Sequence, residues 1–488
     1  MKKTASAFLA GAAAVLAFAP TGFYPVGVAC FAVLTALWMR AGPLECLRIG
    51  FAFGMGLFVA GVSWVYISLS VYGGMPWPLA AIATFGFCVL IALFPAGAGW
   101  LQARIPAPQA LRAALLIPAA WTLSEWLRSW VLSGFPWLSA GYGAAGWPTQ
   151  GLAPVLGVFG VSFATVALGG LVWLIFAKHP RRGLAAAIAV ALLAGTHLLR
   201  AVEWSAPAGA PLAVTLLQGN IAQELKFRPE RYERIAQTYA RLVEESRGRL
   251  IVLPETAIPR LLEGIEPAKL ARLEAAARRN SGDLLLGVAT REGLRTYRNS
   301  VVSFGSSPRQ AYHKTHLVPF GEFVPLAFGW VMHWLEIPMS DFTPGREGQA
   351  PLAVAGQRVA VNICYEDAFG DLIARQAAQA TLLVNVSNVA WFGDSLAPAQ
   401  HLQIAQLRAI ETARMHLTAT NTGITAAIDR DGRVLGRLPQ FKEGRLDVTA
   451  QGYVGATPYV GWRDWPAIVI CLAILIAFTL IARSKRSR

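Results

Sequence analysis

Eight apolar runs, each near or approaching the roughly 20 residues a helix needs to cross a bilayer, punctuate the chain: Ser6 to Ala19, Tyr24 to Trp38, Ile49 to Val71, Pro78 to Leu101, Ala113 to Leu132, Leu152 to Phe176, Leu184 to Leu199 and Trp465 to Ile481. Seven of them crowd into residues 1–200, which predicts a multi-pass α-helical membrane bundle, and the eighth predicts a single membrane helix with a basic tail over residues 465–488. The intervening residues 201–464 change period. Short β-rich runs (Leu212 to Leu217, Leu250 to Leu253, Asp283 to Ala289, Asn299 to Phe304, Val359 to Ile363, Thr381 to Val386, Thr418 to Ile428) alternate with helical ones (Glu230 to Ser246, Pro267 to Asn280, Gly370 to Ala380, Ala397 to Met415), the pattern of a layered α/β domain. Asp429-Arg-Asp431-Gly432 reads as a hairpin turn.

The first run follows Lys2 and Lys3 and resembles a signal peptide, but Pro20 directly after Ala17-Phe18-Ala19 disfavours cleavage, so a short uncleaved helix is expected. Cut or uncut, it starts the following chain on the same side. Lys and Arg then alternate regularly between connections. With the N-terminus inside, Lys2 and Lys3, Arg40 and Arg48, Arg104 and Arg112, Lys178, Arg181 and Arg182, and Arg483, Lys485, Arg486 and Arg488 all fall on the inner side, while the loops around Gly22, Gly73 and Gly141 carry none. This bias places residues 201–464 outside the cytoplasm.

Composition agrees with a chain partly in lipid: 55% of its 488 residues are hydrophobic and its mean hydropathy is +0.45. The net charge of +15 needs no nucleic-acid partner, because much of it anchors inner loops beside anionic lipid. Gly54-Met-Gly56 lies inside a membrane run and reads as helix packing, not as a nucleotide loop. Glu125 and Arg128 occupy neighbouring turns of one span, where charges usually face a partner or a wet cavity; with Gly134 to Tyr142 beyond, that end is a candidate support for a lipid entrance. His313 and His316 lack companions, so no metal and no cofactor is expected.

Candidate chemistry sits in the α/β stretch. Cysteines 30, 46, 88 and 471 fall in or beside spans, which leaves Cys364 without an obvious disulfide partner at the end of the run Val359 to Ile363. Glu255 follows another strand, and Lys314 lies in Tyr312-His-Lys-Thr-His. Taken singly, Glu255 also fits a helix-start carboxylate, Lys314 a solvated cation and Cys364 an inert core thiol. Together they suit nucleophilic catalysis: a thiol, a base to take its proton and an ammonium to hold an oxyanion.

On these residues the stretch from Pro211 to Gln451 resembles the nitrilase, or carbon–nitrogen hydrolase, superfamily, whose Glu, Lys and Cys recur in this order on such strand ends. With the membrane helices added, the chain resembles the apolipoprotein N-acyltransferase family through Gln218-Gly-Asn220, Leu253 to Pro259, Leu317 to Glu322, Ile363 to Glu366, Asn385 to Asn388, Trp391 to Asp394 and Asn421-Thr-Gly423. The resemblance implies an α-β-β-α nitrilase-like sandwich, a catalytic triad of Glu255, Lys314 and Cys364, and supporting or substrate-binding roles for Glu322, Tyr365, Glu366, Phe227 and Trp391. Phe227 stands where many relatives are expected to carry Trp, which keeps an aromatic wall but loses an indole hydrogen bond.

The expected reaction is transfer of a fatty acyl chain from a membrane phospholipid, through a Cys364 thioester, to the α-amino group of an apolipoprotein's N-terminal diacylglyceryl-cysteine. Outside the cytoplasm no ATP or acyl-CoA activates a fatty acid, so the donor must arrive esterified. The expected setting is a bacterial inner membrane with the catalytic domain on its periplasmic face. The aromatic run Phe320, Phe323, Leu326, Phe328, Trp330, Trp334 and Ile337 reads either as a membrane-facing arm or as core. Two rivals use the same sequence differently. A membrane-tethered amidase would let water replace the amine, and a transporter would carry an inactive nitrilase-like domain but should show interrupted helices near the midplane.

Overall fold

The computed structural model describes residues 1–293, 296–324 and 341–484. Every apolar run contains a helix: Lys2–Ala14, Tyr24–Met39, Pro43–Val62, Trp77–Arg104, Ile117–Arg128, Ala153–Phe176, Arg182–Leu199 and Trp465–Ser484. Five helical stretches among the described residues are long and apolar enough to cross a membrane: Pro43–Val62, Trp77–Arg104, Pro148–Phe176, Arg182–Leu199 and Trp465–Ser484. The chain divides into two compact units. One holds Met1–Tyr66, Pro78–Glu203 and the residues from Gly461 onward; the other holds Ile67–Trp77 and Trp204–Val460. Ile67–Trp77, which apolarity alone joins to the helices, clusters with the sheets.

In the helical unit, small residues set the approach of helix to helix. A Cβ on Gly56 would lie 2.0 Å from the Phe8 carbonyl oxygen, and one on Gly11 would lie 2.0 Å from that of Phe53. Lys2–Ala14 and Pro43–Val62 therefore touch backbone to backbone, while Gly54 faces Ala92 of the helix Trp77–Arg104. Glu125 and Arg128 are buried and fasten a loop. Glu125 accepts from the Trp121 indole at 2.7 Å and the Ala140 amide at 2.8 Å; Arg128 donates to the carbonyls of Trp137 at 2.6 Å and of Phe135. The two charges thus satisfy the irregular backbone of residues 135–140, which replaces the wet cavity as the account of their placement.

The second unit contains twelve strands among the described residues: β1 (Ser205–Gln218), β2 (Leu250–Val252), β3 (Asp283–Glu292), β4 (Thr296–Gly305), β5 (Ala311–His313), β6 (Leu352–Val354), β7 (Gln357–Ile363), β8 (Leu382–Ser387), β9 (His416–Thr420), β10 (Ala426–Ile428), β11 (Val434–Arg437) and β12 (Gly444–Gly455). They form two six-stranded sheets, ordered β12-β1-β2-β3-β4-β5 and β11-β10-β9-β8-β7-β6, parallel at their centres and antiparallel at their edges. The expected strand Thr418 to Ile428 is two strands, because the chain turns between Thr420 and Ala426 and pairs antiparallel with itself. The hairpin turn after Ile428 is present, with Gly432 at φ 84°.

Period-two side chains build the layers. Val214, Leu216, Leu250 and Val252 meet Val359, Val361 and Ile363 in one cluster between the sheets. Their alternates Leu217, Ile251 and Leu253 pack instead on the helices Tyr232–Glu244 and Pro267–Arg279, and Ala360 packs on Gly370–Ala377. The result is the expected α-β-β-α sandwich.

Candidate active site

Glu255, Lys314 and Cys364 each follow the last residue of a strand, β2, β5 and β7, by one to three positions. Cys364 opens a single 3-10 turn, Cys364–Ala368, at φ 53°, a left-handed conformation that costs a non-glycine residue about 1–3 kcal/mol unless its surroundings impose it. Glu366 helps impose it from one side. Fully buried, it accepts from the Ile363 amide at 2.8 Å, the Tyr312 hydroxyl at 2.9 Å, the Thr315 amide at 2.7 Å and hydroxyl at 2.8 Å, and the His316 amide at 3.1 Å. Its support is to the turn, since its oxygens are occupied by protein donors.

Glu255 and Lys314 come together, and both act electrostatically on the Cys364 thiol. Lys314 Nζ lies 2.8 Å from Glu322 Oε2 and 3.6 Å from Glu255 Oε1, with all three side chains almost fully buried. Asn299 Nδ2 donates at 2.7 Å to both Glu255 Oε1 and Glu322 Oε1, and the Asn388 amide donates to Glu255 Oε2 at 2.8 Å. Burial alone would lower the Lys314 pKa, but Glu322 and Glu255 overcome it and hold the ammonium firmly protonated. Burial pushes the Cys364 thiol up to about 12, with Glu255 adding to the rise and Lys314 opposing it. The resting nucleophile is therefore a thiol, which needs a base at the moment of attack.

The remaining expected residues have their own described neighbours. Tyr365 is half-buried, edge-to-face on Phe369 with ring centroids 5.1 Å apart. Phe227 is half-buried directly after the short helix Gln223–Lys226. Trp391 stands edge-to-face on Tyr72 at 6.2 Å, a partner contributed by Ile67–Trp77. Of the aromatic run, Phe320 and Phe323 are described, joined by a Phe320 amide to Phe323 carbonyl bond of 2.7 Å. Leu326, Phe328, Trp330, Trp334 and Ile337 lie outside the described residues.

Residues 10–171 match the apolipoprotein N-acyltransferase N-terminal domain, and residues 213–459 match the carbon–nitrogen hydrolase domain. The chain is 46% identical to an apolipoprotein N-acyltransferase of Nitrosomonas europaea, over 99% of this chain and 98% of that one. The chain belongs to the apolipoprotein N-acyltransferase family. Other members are similar over nearly their whole length: one from Methylococcus capsulatus is 43% identical over 100% of this chain and 97% of its own, and one from Ralstonia nicotianae is 41% identical over 99% and 93%. Membership in this acyltransferase family, with the five apolar helical stretches, points to a bacterial membrane protein.

Within this apolipoprotein N-acyltransferase fold, sequence reasoning missed four residues at the site. Asn388 stood within a motif but was given no role, and Asn299 was hidden as an ordinary polar residue of β4. Lys226 is buried and donates to the Glu255 carbonyl at 3.2 Å; burial lowers its pKa to about 8. Gly287 lets β3 approach the Glu255 turn, since a Cβ there would lie 2.3 Å from the Pro254 oxygen. A lysine immediately before Phe227 was the one available signal, and its position in a polar helical stretch masked it.

Proposed function

We propose that the protein transfers a fatty acyl chain from a membrane phospholipid, by way of a Cys364 thioester, to the α-amino group of an apolipoprotein's N-terminal diacylglyceryl-cysteine. The observation that carries this reading is the buried Glu255–Lys314–Glu322 cluster whose charges act on the Cys364 thiol, in a chain whose full-length relatives are named for that activity.

In the first stage Glu255 takes the thiol proton as Cys364 Sγ bonds to the ester carbonyl carbon. The carbonyl oxygen becomes an oxyanion, held by the Lys314 ammonium in a site with little water, where such a contact is worth far more than in solution. Collapse breaks the carbon–oxygen bond, and the departing lysophospholipid oxygen receives the proton from Glu255. In the second stage the amine nitrogen attacks the thioester carbon, Glu255 accepts the amine proton, and the carbon–sulfur bond breaks. The proton returns to sulfur, which restores the resting thiol. Glu322 keeps Lys314 aimed throughout, and Asn299 ties the two carboxylates to one amide nitrogen. Glu366 holds the nucleophile's turn, while Tyr365, Phe227 and Trp391 offer aromatic walls to the acyl chain. No step needs a metal or a cofactor.

In this reading residues 1–200 and 465–488 lie in a bacterial inner membrane, with residues 201–464 on its periplasmic face. The lysine and arginine bias of the short connections supports that orientation. The test incubates purified protein with phospholipid and reads the intact mass for an acyl adduct on Cys364, which a diacylated lipopeptide should then discharge. An adduct lost equally fast in buffer alone would indicate a tethered amidase. Failure of any phospholipid to form one would indicate a nonenzymatic role such as transport.

A further inference from the structure

A second buried polar chain, which the reaction above does not use, meets Cys364 at its backbone carbonyl. The Cys364 carbonyl accepts from His401 Nε2 at 3.2 Å and from Asn385 Nδ2 at 3.2 Å. His401 projects from the helix Ala397–Thr412, and its Nε2 also lies 3.8 Å from Asp367 Oδ2. Asp367 Oδ1 lies 2.9 Å from His416 Nε2, and His416 Nδ1 lies 3.1 Å from the Thr418 hydroxyl on β9. Asp367 and His416 are completely buried and His401 nearly so.

Because a carbonyl oxygen can only accept, His401 must carry its proton on Nε2. Burial disfavours the charged ring, which fits a neutral His401 with that one donor. Burial alone would push the Asp367 carboxyl up, yet the facing His416, with His401 and Arg408, holds it below its ordinary value. An ionised Asp367 with Oδ2 3.8 Å from Nε2 adds an attraction that favours the same tautomer. Burying an acid and two imidazoles costs desolvation free energy that apolar side chains would avoid. The residue they converge on is the one whose backbone is left-handed. Asp367 itself sits in the same 3-10 turn as Cys364 and next to Glu366, so two neighbouring buried acids of one turn take separate sets of partners. Among the described residues no group of His, Cys, Asp and Glu is arranged to hold a metal, so a metal centre does not explain the cluster.

We propose that His401, held by Asp367 and His416, is a positioning residue for Cys364: through the Cys364 carbonyl it locks the left-handed nucleophile turn and so aims Sγ between Glu255 and Lys314. The proposal rests on the acyl-transfer reading for its rate measurement but not for its geometry.

The test compares H401L, which keeps bulk and loses the donor, with H401Q, whose amide nitrogen can replace Nε2. In single-turnover assays with phospholipid, H401L should form the Cys364 adduct at least about tenfold more slowly, a loss of the size misplacement brings, whereas H401Q should stay within about threefold of the parent. The phospholipid concentration for half-maximal rate should be unchanged in both. Should H401L not fold, D367N takes its place: it should slow the parent by about fivefold but have no further effect in the H401Q background, because its influence passes through His401. Equal slowing by H401L and H401Q, an unaffected H401L, or equal effects of D367N in both backgrounds would overturn the proposal. Labelling of Cys364 by iodoacetamide separates the two readings. A parent protein that labels but never takes an acyl chain sinks the transfer reading, and the order parent ≈ H401Q > H401L in labelling rate, or its absence, then decides this one.

Discussion

Lys314 Nζ rests 2.8 Å from Glu322 Oε2, closer than the 3.6 Å to Glu255 Oε1. The proposed oxyanion donor thus has its nearest carboxylate partner outside the proposed set of base, lysine and thiol. Replacing Glu322 by Gln should leave the protein folded but let Lys314 swing toward Glu255, pairing the base with the cation. We expect adduct formation on Cys364 to fall by about 10- to 100-fold, the scale of a misplaced catalytic group, measured by single-turnover mass spectrometry. K314M should fall further, by about 10²–10³, as an oxyanion contact is removed outright. An E322Q rate equal to the parent's would remove the aiming role.

The Cys364 thiol, pushed up to about 12 by burial and by Glu255, is overwhelmingly protonated at neutral pH. Labelling by iodoacetamide without lipid should therefore keep climbing about tenfold per pH unit from neutrality through pH 10, since only the thiolate reacts. The sign is fixed: a raised thiol pKa means slower labelling at pH 7 than for a free cysteine of pKa about 8.5. A plateau below pH 9 would reveal a stored thiolate and contradict a base that acts only during attack.

Asn299 satisfies one oxygen on each of two buried carboxylates with a single amide nitrogen. N299L should strand both and cost about 1–3 kcal/mol of stability for each donor lost, read as a lowered Tm in detergent. N299D should be worse for activity than for folding, because a third carboxylate would compete for Lys314. Equal activity of N299D and parent would show that the two glutamates do not need the amide.

Gly56 has no room for a side chain, whereas a Cβ on Gly86 would meet nothing within 4 Å. G56L should separate the helices Lys2–Ala14 and Pro43–Val62 at a cost of about 1–3 kcal/mol or more. G86L in the helix Trp77–Arg104 serves as the control with an unchanged Tm. The same Tm for both variants would contradict backbone-to-backbone packing at Gly56.

Much of this architecture is legible from residue order because its signals are strong where they occur. Apolar runs announced eight helices, and β2, β3, β7 and β8 were visible as short buried strands. β12 escaped because its side chains alternate between half-buried and exposed, with Ala450 and Gly452 its buried residues, so it lacks the hydrophobic stripe of a core strand. β5 and β6 are three residues each, below what periodicity resolves. At the site, Glu255, Lys314 and Cys364 stood out because charge and sulfur at strand ends are conspicuous. Asn299, Lys226, Asp367, His401 and His416 did not, because what distinguishes them is burial against partners 23 to 49 residues away in sequence, from Asn299 on Glu322 to His416 on Asp367, and single-residue patterns carry no record of it.

The loop Ile67–Trp77 has a practical consequence. Because Tyr72 and Ile67 lie against Trp391 and Gly393, the catalytic half is assembled from two separate stretches of polypeptide. Any excised fragment beginning at Trp204 would be missing a piece of its own wall, so solubilised versions should carry that eleven-residue peptide back by fusion or by supplying it in trans.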